Sequence, residues 1–427
     1  MNRTASARIA ALAVAAVVLP LAACSGGDES GEAADELVIQ SVWTRGTAEG
    51  DALQRAIDEF TEETGASVQW LDTGESLPDV YETSVAGGNQ ADIVLANLVE
   101  KTVDWVKNGA VVPMDPYLEE WGVAQDLRPE AVEEWRDSGE DLVGLPYSGF
   151  IWPVWYNTDL LEQAGVEEIP TTTDELIDAA GKLRDAGIAP MVIGGNDWSG
   201  QKLFLQVTQA YADPEVARRV YAEGGFCDTP EIYRGVQLFT ELRDAGVFVD
   251  DAQGFTADAM NTEYYTGSAA IMSAGSWAFG ELPEDVAAAT TLSGFPNPAE
   301  GAYTDPTAYQ GYTGTGLMLS ENGVEKIDLV RQFVEILYSP ATVADFVSEA
   351  NMVPAATTAE DAEVTSPMLQ QAVSDLDDRV TYAVMPDTAI PGPVADPMIR
   401  ATSLAYSPGN DADAVCGGID AAYDVVG

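Results

Sequence analysis

From residue 37 onward, strand-forming and helix-forming stretches alternate, and this alternation confines the chain to a layered α/β fold. Residues 37–43 form an apolar, β-prone run. Residues 52–64 then carry Leu53, Ala56, Ile57 and Phe60 at helical spacing, closed by Gly65. Residues 68–71 and 92–96 read as further strands. The β-α-β-α order predicts a largely parallel sheet covered by helices. Ligands of such sheets sit beyond the carboxyl ends of the strands, which singles out Trp43, Arg45 and Asn97. The pattern resumes beyond Tyr147. A strand is expected over 151–156, and a capping box at Thr172-Thr173-Asp174-Glu175 opens a helix. Strands are expected at 191–193 and 269–272, and a single helix over 324–338.

The amino terminus has a different character. Arg3 and Arg8 precede an apolar run over 9–19, which is followed by Leu21-Ala22-Ala23-Cys24. The run is too short to span a bilayer, which takes roughly 20 residues. It predicts a signal peptide over 1–23, with lipid attached to Cys24. Ordinary cleavage near Ala23 is the alternative. Residues 24–36 are polar and acidic and read as a flexible tether. The rest of the chain is long enough for two core-bearing lobes.

The chain of 427 residues carries 71 acidic and 19 basic residues, a formal net charge of −52. Nucleic acid is excluded as a partner, because phosphate binding needs clustered Lys and Arg. Acids spread through the helices predict a solvated anionic shell suited to high salt. The chain has no histidine, so His-dependent triads and His-containing zinc motifs are absent. No metal or cofactor is expected. Cys227 and Cys416 remain once Cys24 is assigned to lipid. Outside the cytoplasm, two leftover cysteines are expected to pair; two buried thiols are the alternative.

Several stretches, in order, resemble the family-one extracellular solute-binding proteins of sugar ABC transporters, related to maltodextrin-binding proteins. They are the first strand ending in Trp43, Ala91-Asp92-Ile93-Val94-Leu95-Ala96, and Gly144-Leu145-Pro146-Tyr147 through Trp155-Tyr156-Asn157. Tyr265-Thr266-Gly267-Ser268 through Gly275-Ser276-Trp277 and Met352-Val353-Pro354-Ala355 complete the set. The resemblance implies a periplasmic-binding-protein type II fold, with two α/β lobes, a multi-crossover hinge and an interlobe cleft. It places the first lobe at 37–146 plus 293–352, and the second at 147–292 plus 353–427. Cys227 and Cys416 then share a lobe. It also implies a monomer tethered to the outer face of a membrane, with a carbohydrate ligand and ABC permease subunits as partners.

Sugars present apolar C–H faces and a rim of hydroxyls, which aromatic rings and polar side chains bind respectively. Trp277 matches the family's sugar-stacking Gly-x-Trp position. Trp198, Asn196 and Asp197 share a Gly-rich loop, and Trp152 lies near the first lobe crossing. Asn97, Trp43, Arg45, Tyr147, Tyr312 and Asp396 complete the candidate ligand set. Arg45 could instead pair with one of the many acids. Trp70, Trp105, Trp121, Trp135 and Trp155 read as packing. Two competing functions remain at this stage: a secreted glycoside hydrolase using a carboxylate pair, and a receptor for a cationic solute such as a polyamine.

Overall fold

The computed structural model describes residues 36–136, 141–359 and 362–426. The expected signal segment, Cys24 and the tether up to residue 35 lie outside them. Strand β1 (Glu36–Ser41) lies between β2 (Ser67–Asp72) and β3 (Ile93–Asn97), parallel to both. The helix Ala48–Thr64 joins β1 to β2. It buries Leu53, Ala56, Ile57 and Phe60, and it stops at Gly65, whose φ of 74° is the left-handed conformation that glycine adopts without penalty. The sheet is completed by β4 (Leu145–Pro146) and β11 (Thr315–Leu319) in the order β2-β1-β3-β11-β4. β11 runs antiparallel to β3 and β4, so the expected parallel sheet is mixed.

A second sheet has the order β7 (Ala189–Val192), β8 (Ala269–Ser273), β6 (Val154–Asn157), β9 (Thr290–Ser293). Between the two lies a third, in the order β12 (Val353–Pro354), β5 (Ser148–Trp152), β10 (Thr307–Gly311), β13 (Thr381–Tyr382). The single strand expected over 151–156 is therefore two. Pro153 has no N–H for a ladder, and the chain changes sheets there: β5 pairs with β10 and β6 with β8. The single helix expected over 324–338 also divides, into Glu321–Val324 and Ile327–Leu337.

Two large apolar cores flank the middle sheet. The first draws on residues from Leu37 to Tyr147 and from Leu317 to Ala356. The second draws on Ile151 to Ala308 and Met368 to Tyr423. We take the lobes to follow these cores. Phe295 and Ala308 then belong to the second lobe, and Ala355 and Ala356 to the first. Of the chain from 295 to 308, Phe295 and Ala308 pack into the second core, while Tyr303 packs with Phe150, Trp152 and Tyr309. Gly149 in β5 permits a close approach, since a Cβ there would sit 2.6 Å from the Gly311 carbonyl and 2.8 Å from the Tyr312 ring.

The acids lie as patterning requires. On the first helix Asp51, Asp58, Glu59, Glu62 and Glu63 are exposed, and Arg55 there is paired with Asp345 and Glu349. Self-repulsion of this shell opposes compaction and is screened by salt. The melting temperature is expected to rise as sodium chloride is raised from about 0.1 M to about 2 M, where the Debye length falls from ~10 Å to below ~3 Å. A flat or falling series in calorimetry would refute a repulsive shell.

Candidate functional site at the junction of the lobes

Trp152 stands at the end of β5 in the middle sheet, and two more indoles reach it from the second lobe. Trp198 opens the helix Trp198–Thr208 after the loop following β7. Trp277 follows β8 in a short 3-10 turn, Ser276–Glu281. The Trp152 centroid lies 5.5 Å from Trp198 and 5.2 Å from Trp277, both edge-on, and Trp198 and Trp277 are 6.0 Å apart. Phe150 meets Trp277 edge-on at 6.0 Å, and Tyr309 lies behind Trp152 at 6.2 Å. Trp152 is buried, and its Nε1 donates to Ser273 Oγ at 3.1 Å. Trp277 keeps 40% of its surface exposed, which leaves an indole free above an aromatic floor. Its ring folds back over Gly275, where a Cβ would approach to 2.1 Å. Glycine two residues before this Trp is thus required by the ring's position.

The first lobe meets this cluster at Glu75, whose carboxyl lies within electrostatic reach of Trp198 and Asp197. Burial raises the Glu75 pKa, Trp198 opposes the shift, and the Asp197 and Asp258 charges add to it. Burial also raises Glu49 against its bonds to its own backbone and Thr47, with a contribution from Glu281 of the second lobe. These carboxyls resist ionisation at the junction. The stability they contribute is present below the ordinary carboxylate range and is lost as pH rises through their raised values. Two surface hollows lie away from the junction. One of about 790 Å³ is lined by Asn297, Tyr303, Thr304 and Arg379, and one of about 330 Å³ by Glu59, Glu63 and Gln332. Neither contains a candidate ligand residue.

The structure brings Trp152, Trp198 and Trp277 into ring contact, and no other candidate joins those contacts. Trp43 and Tyr147 are buried in the first core, 5.6 Å apart and both against Phe346. A Trp at a strand end is as easily recruited by the core beneath it. Arg45 is held by Asp72 at 3.0 Å and lies 4.1 Å over the Trp70 ring, the acid-paired alternative. Asp197 caps its helix: its carboxylate accepts from Ser199 N and Oγ and from Ala257 N. Asn196 is exposed beside Ser403. Asn97 is exposed at the end of β3, its Oδ1 accepting from Thr315 Oγ1 at 3.1 Å. Tyr312 is half-buried against Gly149, with its N–H on Glu134. Asp396 pairs with Lys101 at 3.2 Å, an ion pair rather than a place in the aromatic cluster. Sequence reasoning missed Glu75, Glu49 and Phe150; nothing in their spacing distinguishes them among 71 acids and 11 Phe.

Sulfur joins Cys227 to Cys416, with a Cα separation of 5.3 Å. Among the described residues no helix is long and apolar enough to cross a membrane.

Residues 44–344 match the family model of bacterial extracellular solute-binding proteins. A curated relative from Rhizobium meliloti, named "Probable sugar-binding periplasmic protein", is 26% identical over 290 residues, 63% of each chain. The chain therefore spans less than two thirds of that relative's length. The crystal structure of a secreted solute-binding lipoprotein from Streptomyces coelicolor, described as probable, is 39% identical. Its TM-score is 0.78, covering 92% of this chain and 99% of that one. A chitin oligosaccharide binding protein shares the fold, with a TM-score of 0.81 at 22% identity and coverage of 92% and 98%. A match over 301 residues of the chain, together with that 39% identical neighbour, settles the lineage: this chain belongs to the bacterial extracellular solute-binding protein family.

Proposed function

We propose that this chain is the substrate-binding lipoprotein of a carbohydrate ABC importer, taking a mono- or oligosaccharide between its lobes and delivering it to the permease. The observation that carries this reading is Trp277, a large indole left 40% exposed against Trp152, Phe150 and Trp198 where the lobes meet. An exposed aromatic face over a packed aromatic floor suits the C–H face of a pyranose, and nearby carboxylates accept from its hydroxyls. Lobe closure would bury the sugar and give the permease a shape to recognise. The name of the Rhizobium meliloti relative supports the same class of ligand. No bond is broken in this account, which makes the chain a binder rather than a glycoside hydrolase. Residues 1–24 supply the export signal and the lipid attachment point in this reading. Two acyl chains would give lasting attachment to the outer face of the membrane.

A second reading, a receptor for a cationic solute, draws on Glu75 and Glu49, which approach second-lobe acids across the junction. Calorimetry against a panel of mono- and oligosaccharides, with spermidine alongside, separates the two. Saturable heat and quenched tryptophan fluorescence are expected with a sugar and none with spermidine. Silence across the sugars with a response to spermidine would overturn the carbohydrate assignment.

A further inference from the structure

One turn beyond Trp198, on the same helix, Lys202 is buried in a stretch that is otherwise uncharged. Its ammonium lies 2.5 Å from Glu100 Oε1 and 2.7 Å from Asp387 Oδ1, with the three side chains 4%, 9% and 6% exposed. Glu100 belongs to the first lobe, in the loop after β3 whose neighbours Leu98 and Val103 sit in the first core. Asp387 belongs to the second, next to Ile390 of the second core. The other Asp387 oxygen accepts from Thr313 Oγ1 at 3.1 Å, and Thr313 lies in the crossing from β10 to β11. The Thr313 carbonyl accepts from Leu98 N at 3.0 Å, which ties that crossing to the Glu100 loop. The Tyr309 hydroxyl donates to the Lys202 carbonyl at 3.1 Å, which ties the helix to the middle sheet. One cation therefore joins both lobes and the hinge at a single buried point.

We propose that Lys202 is a positioning residue that pins the lobes at the hinge flank and thereby sets where Trp198 stands relative to the first lobe. Removing a partner from a buried ion cluster leaves charge without compensation. Here loss of the ammonium leaves two buried carboxyls facing each other, and whether one takes up a proton or the pair stays ionised, the bracket that held the lobes is gone and water can enter. Burial raises the Glu100 pKa, Lys202 opposes that shift and Asp387 adds to it. Burial also disfavours the charge on Lys202, but the two carboxylates outweigh it and hold the ammonium protonated. A second bracket, Lys101 between Asp79 and Asp396, spans the same flank from the exposed side. Salt weakens that outer bracket, while the buried cluster is screened far less. The pin holds whatever the solute is.

The test is small-angle X-ray scattering of the unliganded protein in about 1 M salt, where repulsion of the acidic shell is screened within ~3 Å. Lys202→Met is expected to shift the radius of gyration upward from the wild-type value. Glu100→Gln keeps the Lys202–Asp387 pair and guards against a Met variant that does not fold; it is expected to give a smaller shift in the same direction. Each variant is first checked by melting, so that only folded protein is compared. A residue with a merely structural role would lower the melting temperature and leave the scattering profile unchanged. Wild-type profiles from every variant that folds would overturn the proposal. The assay uses no sugar, so its outcome is independent of the ligand assignment.

Discussion

Replacing Trp277 with alanine is expected to weaken carbohydrate binding by more than tenfold while leaving the melting temperature nearly unchanged. The asymmetry follows from the ring's position. Phe150 and Trp152 touch it edge-on and Trp198 at a tilt, at 5.2 to 6.0 Å, and 40% of its surface is open, so the fold draws little on it. A sugar face stacked on it would remove about 80 Å² of apolar surface from water, which at ~25 cal/mol per Å² contributes about 2 kcal/mol, roughly thirtyfold in affinity. Trp152→Ala should behave differently. That indole is buried and hydrogen-bonded to Ser273, so its loss removes the floor and costs about 3–5 kcal/mol of stability. Gly275→Ala is the informative companion, because it deletes no indole. Its new Cβ would lie 2.1 Å from the Trp277 ring and force the ring aside. An affinity loss comparable to Trp277→Ala is expected, read by calorimetry with the best sugar of the panel. Unchanged affinity in Trp277→Ala would remove the aromatic site from the function.

The exposed setting of Trp277 beside Trp152 and Phe150 agrees with its short-range pattern. Gly-x-Trp after an apolar strand places a ring over a residue that has no side chain. Trp43 carried a similar local signal, lying just past the end of β1, but its surroundings were decided by Phe346 and Tyr147, hundreds and about a hundred residues away. Local sequence does not say which core lies beneath a strand end. The same limit explains Asp197. Its place before a helix predicts a cap as readily as a ligand contact, and the structure shows the cap together with Ala257 N, a partner 60 residues distant. The sheet change at Pro153 was not read from the sequence: one strand was expected over 151–156, and the structure has two. Lys202 did carry a signal: a single charge within an apolar helix predicts a buried partner. Naming Glu100 and Asp387 among 71 acids required coordinates.

Removing the Cys227–Cys416 bond is expected to lower unfolding free energy by about 3–5 kcal/mol. The bond closes a sequence separation of 189 residues, and the chain-entropy account of such a loop gives roughly 5 kcal/mol. What lies within the loop matters as much as its length. Between the two cysteines the chain leaves the second core, builds β11 and the helices Ile327–Leu337 and Pro340–Ala350 in the first, and returns. The link therefore fastens the carboxyl-terminal helix Ala412–Ala422 to the second core across that whole excursion. A second clamp acts at the same place: the Asp420 carboxylate accepts from the backbone N–H of Gly225, Phe226 and Cys227 at 2.7 to 3.0 Å. The loop should thus keep its native position after the sulfurs are gone, since three charge-assisted bonds to one carboxylate remain. Cys227→Ser with Cys416→Ser is expected to melt lower yet bind the same sugar with wild-type affinity when measured well below the transition. Adding Asp420→Asn should then lower stability further, because only the combined loss frees the end of the chain. A double serine variant with the wild-type melting temperature would show that the excursion is held by the two cores alone.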